Sequence, residues 1–324
     1  MNRRQFTLSV SAAALYSTTF AASAQSWPDK PVKFVLSQPA GSGPDAMARM
    51  ISDQLSRKWN QPIVVENKPG GQNAIGAQAV SRAAPDGYTF YFATAAALVT
   101  NVYLFKNLPY DPRKDFVPVG MVGKVPFAIS VNANSKIKSL PDLVAYAKAN
   151  PERLTMANEG PKTFSGMMTR LVAAQLGIQV NSVPYASVSA AVTDTVGGQT
   201  EVLISDVPSI AQMVKSGRLR PIAVTTAKRI AGWENVPALA ETLPGFDYAG
   251  WIGIVAPART PVAVIQQLNR DLDAVLSDKD MAARLLDIGP MTEGAGTVDQ
   301  MATYLAAEHS RWAKLTTDLN ILPE

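Results

Sequence analysis

From residue 27 onward, short apolar runs alternate with stretches whose apolar positions recur every three or four residues. That is the pattern of strands and helices alternating in an α/β fold with parallel sheets. Runs at 32–36, 62–66 and 89–93 predict three strands. Between them, residues 45–58 place Met47, Met50, Ile51 and Leu55 on one helical face, and 73–83 forms a small-residue helix ending at Pro85-Asp86-Gly87. Steps of this length match right-handed βαβ units. A second series predicts strands at 127–131, 154–157, 180–183, 201–205 and 219–225, with helices at 140–149, 165–176, 187–196 and 208–216. A strand at 251–256 and helical patterns at 264–286 and 298–315 close the chain.

These strands are too many for one ordinary open sheet, and no eightfold repeat suggests a barrel. Two doubly wound α/β domains fit better, with the chain crossing near residues 125–131 and again near 250–255. Lobe I then comprises 25–126 and 250–324, and lobe II comprises 127–249. Two crossing strands would form a hinge with a cleft between the lobes.

The N-terminus reads as an export signal. Arg3 and Arg4 precede a mildly apolar stretch from Phe6 to Ala22, and Ala22-Ser23-Ala24 is an A-x-A cleavage site. Cleavage after Ala24 would leave residues 1–24 behind and remove two arginines from a formal net charge of +4. Adjacent arginines followed by Gln5-Phe6 admit a twin-arginine route as well as a general secretory one. The stretch is too short and too polar for a stable membrane span, and no other segment approaches one. A soluble periplasmic protein is expected.

Composition narrows the chemistry. The 324 residues include no Cys and a single His, His309, against 30 Lys+Arg and 26 Asp+Glu. Disulfides, thiol catalysis, thiolate metal sites and any site needing two imidazoles are excluded. The balance of charge gives no footprint for nucleic acid. No metal or cofactor is expected, and a monomer is the simplest state.

The sharpest local signal is Ser37-Gln38-Pro39-Ala40-Gly41-Ser42-Gly43-Pro44-Asp45-Ala46, between the first strand and the first helix. Gly41-x-Gly43-x-x-Ala46 also matches a short dinucleotide fingerprint, which would make the protein an exported NAD(P)-dependent oxidoreductase. Pro44 weighs against that reading because it removes a backbone donor, and Asp45 because it would face the phosphates. An anion site suits the loop better: two glycines admit close approach, and N–H groups with a helix dipole favour a carboxylate. Thr94-Ala95, the segment Asn158 to Ser165 with Thr163 and Phe164, and Asp206 occupy similar strand ends, where ligands of parallel α/β sheets bind. Tyr185 is a pocket wall or core. Ser135-x-x-Lys138 has no partner motif, His309 falls on a charged, solvated helical face, and Asp86, Asp111 and Asp115 are turn formers.

Read in order, several motifs resemble the Bug-type extracytoplasmic receptors of tripartite tricarboxylate transporters. They are Trp27-Pro28-x-x-Pro31, Val65-Glu66-Asn67-Lys68-Pro69-Gly70, Pro85-Asp86-Gly87-Tyr88-Thr89 and Leu108-Pro109-Tyr110-Asp111. Val183-Pro184-Tyr185, Gly197-Gly198-Gln199, Gly217-Arg218-Leu219-Arg220, Pro244-Gly245-Phe246 and Trp251-x-Gly253-x-x-Ala256-Pro257 complete the set. The resemblance covers nearly all of the mature chain. It implies a two-lobed periplasmic binding protein (a Venus flytrap) that closes on a carboxylate without catalysis and delivers it to a membrane permease. The same hinge would serve a ligand-sensing receptor of a two-component system. It further implies ligand contacts from Gln38, Ala40, Gly41, Ser42, Gly43 and Asp45, from Thr94 and Ala95, and from Asn158, Thr163, Phe164, Ser165, Tyr185 and Asp206.

The chain departs from the family pattern in three places. Ser37-Gln38-Pro39-Ala40-Gly41-Ser42 stands where Pro-Phe-Pro-Pro-Gly-Gly is common. A usual His is absent from Phe164-Ser165-Gly166-Met167, and Ala186-Ser187 replaces the Lys-Gly that normally follows Val-Pro-Tyr. Lobe II thereby loses cationic character, and Phe164 and Met167 offer apolar surface. The expected ligand is an aromatic dicarboxylate such as terephthalate rather than citrate.

Overall fold

A computed structural model describes residues 27–287 and 291–323. The predicted export signal and its cleavage site lie outside the described residues. The first sheet contains β1 (Val32–Leu36), β2 (Ile63–Asn67), β3 (Thr89–Thr94), β4 (Phe116–Val125) and β10 (Gly250–Pro257), in the order β2-β1-β3-β10-β4. The second contains β5 (Phe127–Asn132), β6 (Thr155–Asn158), β7 (Asn181–Pro184), β8 (Val202–Asp206) and β9 (Leu219–Val224), in the order β7-β6-β8-β5-β9.

Both sheets are mixed, which corrects the expectation of parallel sheets. β1 runs parallel to β2 and β3, and β6 runs parallel to β7 and β8. β10 is antiparallel to β3 and β4, and β5 is antiparallel to β8 and β9. The cause is connectivity. The chain leaves the first sheet through β4 and re-enters through β10, so the returning strand must run the other way.

Helices cover both faces of each sheet. Along β1, Val32, Phe34 and Leu36 join one apolar cluster while Val35 joins another, and along β3 Phe90 and Phe92 alternate with Tyr91 and Ala93. This period-two division between two buried faces defines a doubly wound layer. The outer cluster of the first sheet is closed by α1 (Gly43–Trp59), through Met47, Ile51 and Leu55, and by α8 (Val262–Leu276), through Leu268 and Leu272. A third cluster, with Leu203, Ala191 and Ile210, forms the outer core of the second sheet under α6 (Val188–Gly197) and α7 (Val207–Lys215).

The remaining helices are α2 (Ala74–Ser81), the short α3 (Asn101–Leu104), α4 (Leu140–Ala149), α5 (Phe164–Leu176), α9 (Lys279–Asp287) and α10 (Val298–Asp318). The single pattern expected over 264–286 divides because Asp278 accepts the Met281 N–H at 2.9 Å and starts a new helix. β4, ten residues long, has no counterpart among the predicted elements. Its Pro118, Gly120 and Gly123 break the apolar alternation, and they are tolerated because β4 is an edge strand whose pairing with β10 is twice irregular.

One buried cluster continues from the first sheet into the second, joining Tyr91, Trp251 and Trp312 to Phe127, Ile129 and Met156. Phe164 on α5 lies 4.5 Å from Phe127 and 6.0 Å from Trp312 on α10, centroid to centroid. Arg311 of α10 also donates to the Asp247 carbonyl at 2.7 Å. Helix α10 packs on β4 of the first sheet and also touches Phe164 and Asp247.

Candidate functional site

Strand register places Thr94 and Asp206 beside the crossing strands. Thr94, the last residue of β3, pairs with Ile252, two residues past Gly250, and Gly250 pairs with Val125 at the outgoing crossing. Asp206, the last residue of β8, pairs with Phe127, the first residue of β5, and the Val207 N–H bonds the carbonyl of Pro126 at 2.9 Å. The carboxyl ends of both sheets thus converge on the crossing strands, where ligands of open α/β sheets are bound.

In the first lobe, the turn between β1 and α1 is organised from within. Gly41 has φ +82°, and its N–H donates to the Asp45 carboxylate at 2.8 Å. Ser42 caps α1, accepting the Asp45 N–H at 3.4 Å while donating to the Pro39 carbonyl at 2.7 Å. Asp45 is buried, and it also accepts from Arg49 at 3.0 Å and Asn67 at 2.9 Å. Burial opposes its ionisation, but the bonds from Arg49, the Gly41 N–H and Asn67 outweigh that and hold its pKa below the ordinary value. Asp45 therefore faces its own loop. The Ser42 and Ala46 N–H groups bond the carbonyls of Pro39 and Ser42, and Pro44 has no N–H. Ala40 and Gly43 are exposed and carry the donors at the turn's open side, and the space a Cβ would fill at Gly43 is empty.

Deeper in the same lobe, Gln38 Nε2 donates to Asn73 at 2.6 Å, and Ser37 exchanges a 2.6 Å hydrogen bond with the Tyr91 hydroxyl. The Gln38 Oε1 and Thr94 Oγ1 atoms are buried and have no hydrogen-bond partner within the protein. Unpaired buried polar atoms are costly, and Ser52 Oγ, Ser130 Oγ and Arg220 Nη1 share that state, but these two lie together at adjacent strand ends, where each can take a bond from water or a ligand. Ala95 is buried and opens the wide helical turn Ala96–Thr100.

In the second lobe, Thr163 caps α5, accepting from the Gly166 N–H at 3.2 Å and donating to the Gly160 carbonyl at 2.8 Å. Ser165 is fully buried and accepts the Glu159 N–H at 3.0 Å. Asn158 is equally buried, with its amide spent on Ser182 at 2.8 Å and its carbonyl oxygen on the Gly160 N–H at 2.9 Å. Asp206 caps α7, accepting from the Ser209 N–H at 2.9 Å and from its hydroxyl at 2.7 Å. Burial raises the Asp206 pKa, and burial followed by the Asp206 charge raises that of Glu159. Glu159, half-buried and bonded through its N–H to Ser165, was not among the expected contacts. The available signal was its place one residue after a strand, inside Asn158-Glu159-Gly160-Pro161.

The Tyr185 backbone N–H bonds the Asn158 carbonyl at 2.8 Å, so this residue stays at the same sheet edge. Tyr185 bonds Asp194 at 2.8 Å and packs with the outer cluster of the second sheet, so it is a wall of that core. Met167 is fully buried core, whereas Phe164 is partly buried beside Phe127 and Trp312. Against the expectation of a solvated side chain, His309 is half-buried, with its Nδ1 3.2 Å from the Tyr103 hydroxyl. No group of three or more potential metal ligands is found among the described residues.

The model of the tripartite tricarboxylate transporter family receptor matches residues 47–321, and the chain belongs to that family. Protein BugT from Bordetella pertussis is 32% identical over 293 residues, covering 90% of each chain. A structure of Rpa4515 from R. palustris with adipate superposes with a TM-score of 0.84 at 31% identity, covering 92% of this chain and all of that one. MatC from Rhodopseudomonas palustris with bound malate gives 0.77 at 26% identity, over 89% and 99%. The fold is that of the two-lobed α/β periplasmic binding proteins. No helix among the described residues is long and apolar enough to cross a membrane.

Proposed function

We propose that this protein is an exported receptor, cleaved after Ala24, that closes residues 25–126 and 250–324 against residues 127–249 over a small carboxylate. It delivers the ligand to a membrane permease and performs no chemistry on it. The carrying observation is the pair of buried, unpartnered oxygens, Gln38 Oε1 and Thr94 Oγ1, beside the capped turn at Gly41 to Asp45. The Thr94 hydroxyl can donate to a carboxylate directly, and the Gln38 carbonyl can do so only through water. Ala40 and Gly43 supply backbone donors at the rim.

The second lobe argues about ligand charge. Glu159 and Asp206 have raised pKa values and share the same strand-end region, so added negative charge is disfavoured there, and citrate with three carboxylates is disfavoured more than a ligand with two. Lys162, the cation of the 158–165 loop, lies over the Phe105 ring at 4.7 Å. Relatives with adipate and malate carry two carboxylates each. The reading for this chain is a dicarboxylate with an apolar spacer, terephthalate in preference to citrate, with Phe164, partly exposed and packed on Phe127 at the crossing, as the aromatic surface.

Titration calorimetry with terephthalate, adipate, malate and citrate tests it. Terephthalate should bind most tightly, and Thr94→Val should weaken it by about tenfold, the loss of one hydrogen bond to a charged group. Tight binding of citrate alone would overturn the ligand, and Thr94→Val without effect would overturn the site.

A further inference from the structure

Between α10 and the far ends of β4 and β10, the first lobe holds a concavity. Helix α10 turns the small side chains of Ala302 and Ala306 toward the sheet, and the space they leave, about 430 Å³, is floored by the buried Leu98, Phe116 and Val255. The depression is open to solvent along α10, where Ala302 and Ala306 are exposed, and its size falls within the range of about 300–1,000 Å³ typical of small-molecule pockets. Leu305 adds a further apolar wall, and the polar side chains at its edge are Arg113 and His309. Among the described residues, no carboxylate lines it.

The charges around it favour an anion. Arg113 is more than half exposed and stands 3.6 Å from Asp111, a long contact. Asp111 is held independently by Lys114 at 3.3 Å and by the Arg113 backbone N–H at 3.0 Å. The guanidinium can therefore turn to another carboxylate without stranding Asp111. His309 has its pKa lowered, first by burial and then by Arg113, with Asp111 acting the other way; it stays neutral near pH 7 and bonded to Tyr103. It neither repels an anion nor adds a second charge.

We propose that this cavity is a binding site for an amphipathic monocarboxylate, whose apolar body lies over Phe116 and Val255 and whose carboxylate pairs with Arg113. The site is separate from the strand-end cleft and stands whether or not the cleft takes terephthalate.

Octanoate and 1-octanol, titrated into the mature chain by calorimetry and followed by ligand-observed NMR, are the probes. Octanoate should bind at one site and not be displaced by adipate. Arg113→Ala should weaken octanoate by about tenfold while leaving octanol unchanged, the signature of a charge-assisted pair. Ala306→Phe, at an exposed position on α10, should abolish binding of both probes without altering the melting temperature or adipate binding. Thr94→Val should leave octanoate binding unchanged. Octanoate binding that adipate displaces, that survives Ala306→Phe, or that is absent at millimolar concentration would overturn the proposal.

Discussion

The Gly41 N–H donates to the Asp45 carboxylate at 2.8 Å, so the acid that opens α1 closes the turn before it. Asp45 also takes bonds from Arg49 and Asn67, and Asn67 reaches back to the Gln38 carbonyl at 3.0 Å. One buried carboxylate thereby ties the turn to α1 and β2.

Asp45→Asn should destabilise the protein by about 2 kcal/mol, because charge-assisted bonds to a buried group are lost. Arg49→Met should cost less than about 1 kcal/mol, since the guanidinium is half exposed. The folded pKa of Asp45 is depressed, so its contribution is present above the ordinary carboxylate range and lost as pH falls through the folded value. Urea titrations at pH 7 and pH 3 should show the gap between wild type and Asp45→Asn closing in acid.

Gly166 tests the second lobe. A Cβ there would stand 1.9 Å from the Gly160 carbonyl oxygen, a backbone atom with no flexible end to swing away. Gly166→Ala should therefore push the 158–165 loop off the α5 N-terminus at a cost of about 1–3 kcal/mol. Carboxylate affinity should fall with it, whereas Gly43→Ala, where the added methyl meets open space, should fold normally. Thermal unfolding of the two variants, side by side, separates these outcomes.

Glu159 gives the opposite pH signature to Asp45. Its folded pKa is raised from 4.5, so folding is unopposed below the unfolded value and loses stability as pH rises toward the folded one. Glu159→Gln should raise the melting temperature near pH 7–8 and have no effect near pH 4. Melting curves across that range check the sign. A variant that is less stable at neutral pH would show that the carboxylate is held by interactions stronger than its burial.

Much of the architecture was legible because it rests on local periodicity. The helix at Leu140–Ala149 and the strand at Val32–Leu36 were predicted with the bounds observed. Strand direction was not legible, since β10 runs antiparallel only because it returns from a distant segment. β4 was hidden by Pro118 and two glycines, which an edge position tolerates. At the site, the strand-end loops could be found, but not which way their side chains face. Asp45 and Asn158 have the same residue types a ligand contact would need, and only their partners show that they organise loops. The neutral, half-buried His309 was misread for a related reason: Tyr103, which covers it, is 206 positions away.

The two crossing strands also pair with each other, Gly250 opposite Val125 and Trp251 opposite Lys124. They are therefore a single ribbon, not two tethers that could swivel separately. A change in the angle between the lobes has to bend this ribbon as a leaf spring bends, along one soft coordinate, with sideways sliding resisted by its hydrogen bonds. The Phe127 ring, 3.2 Å from where a Cβ at Gly250 would stand, sits against the root of that spring.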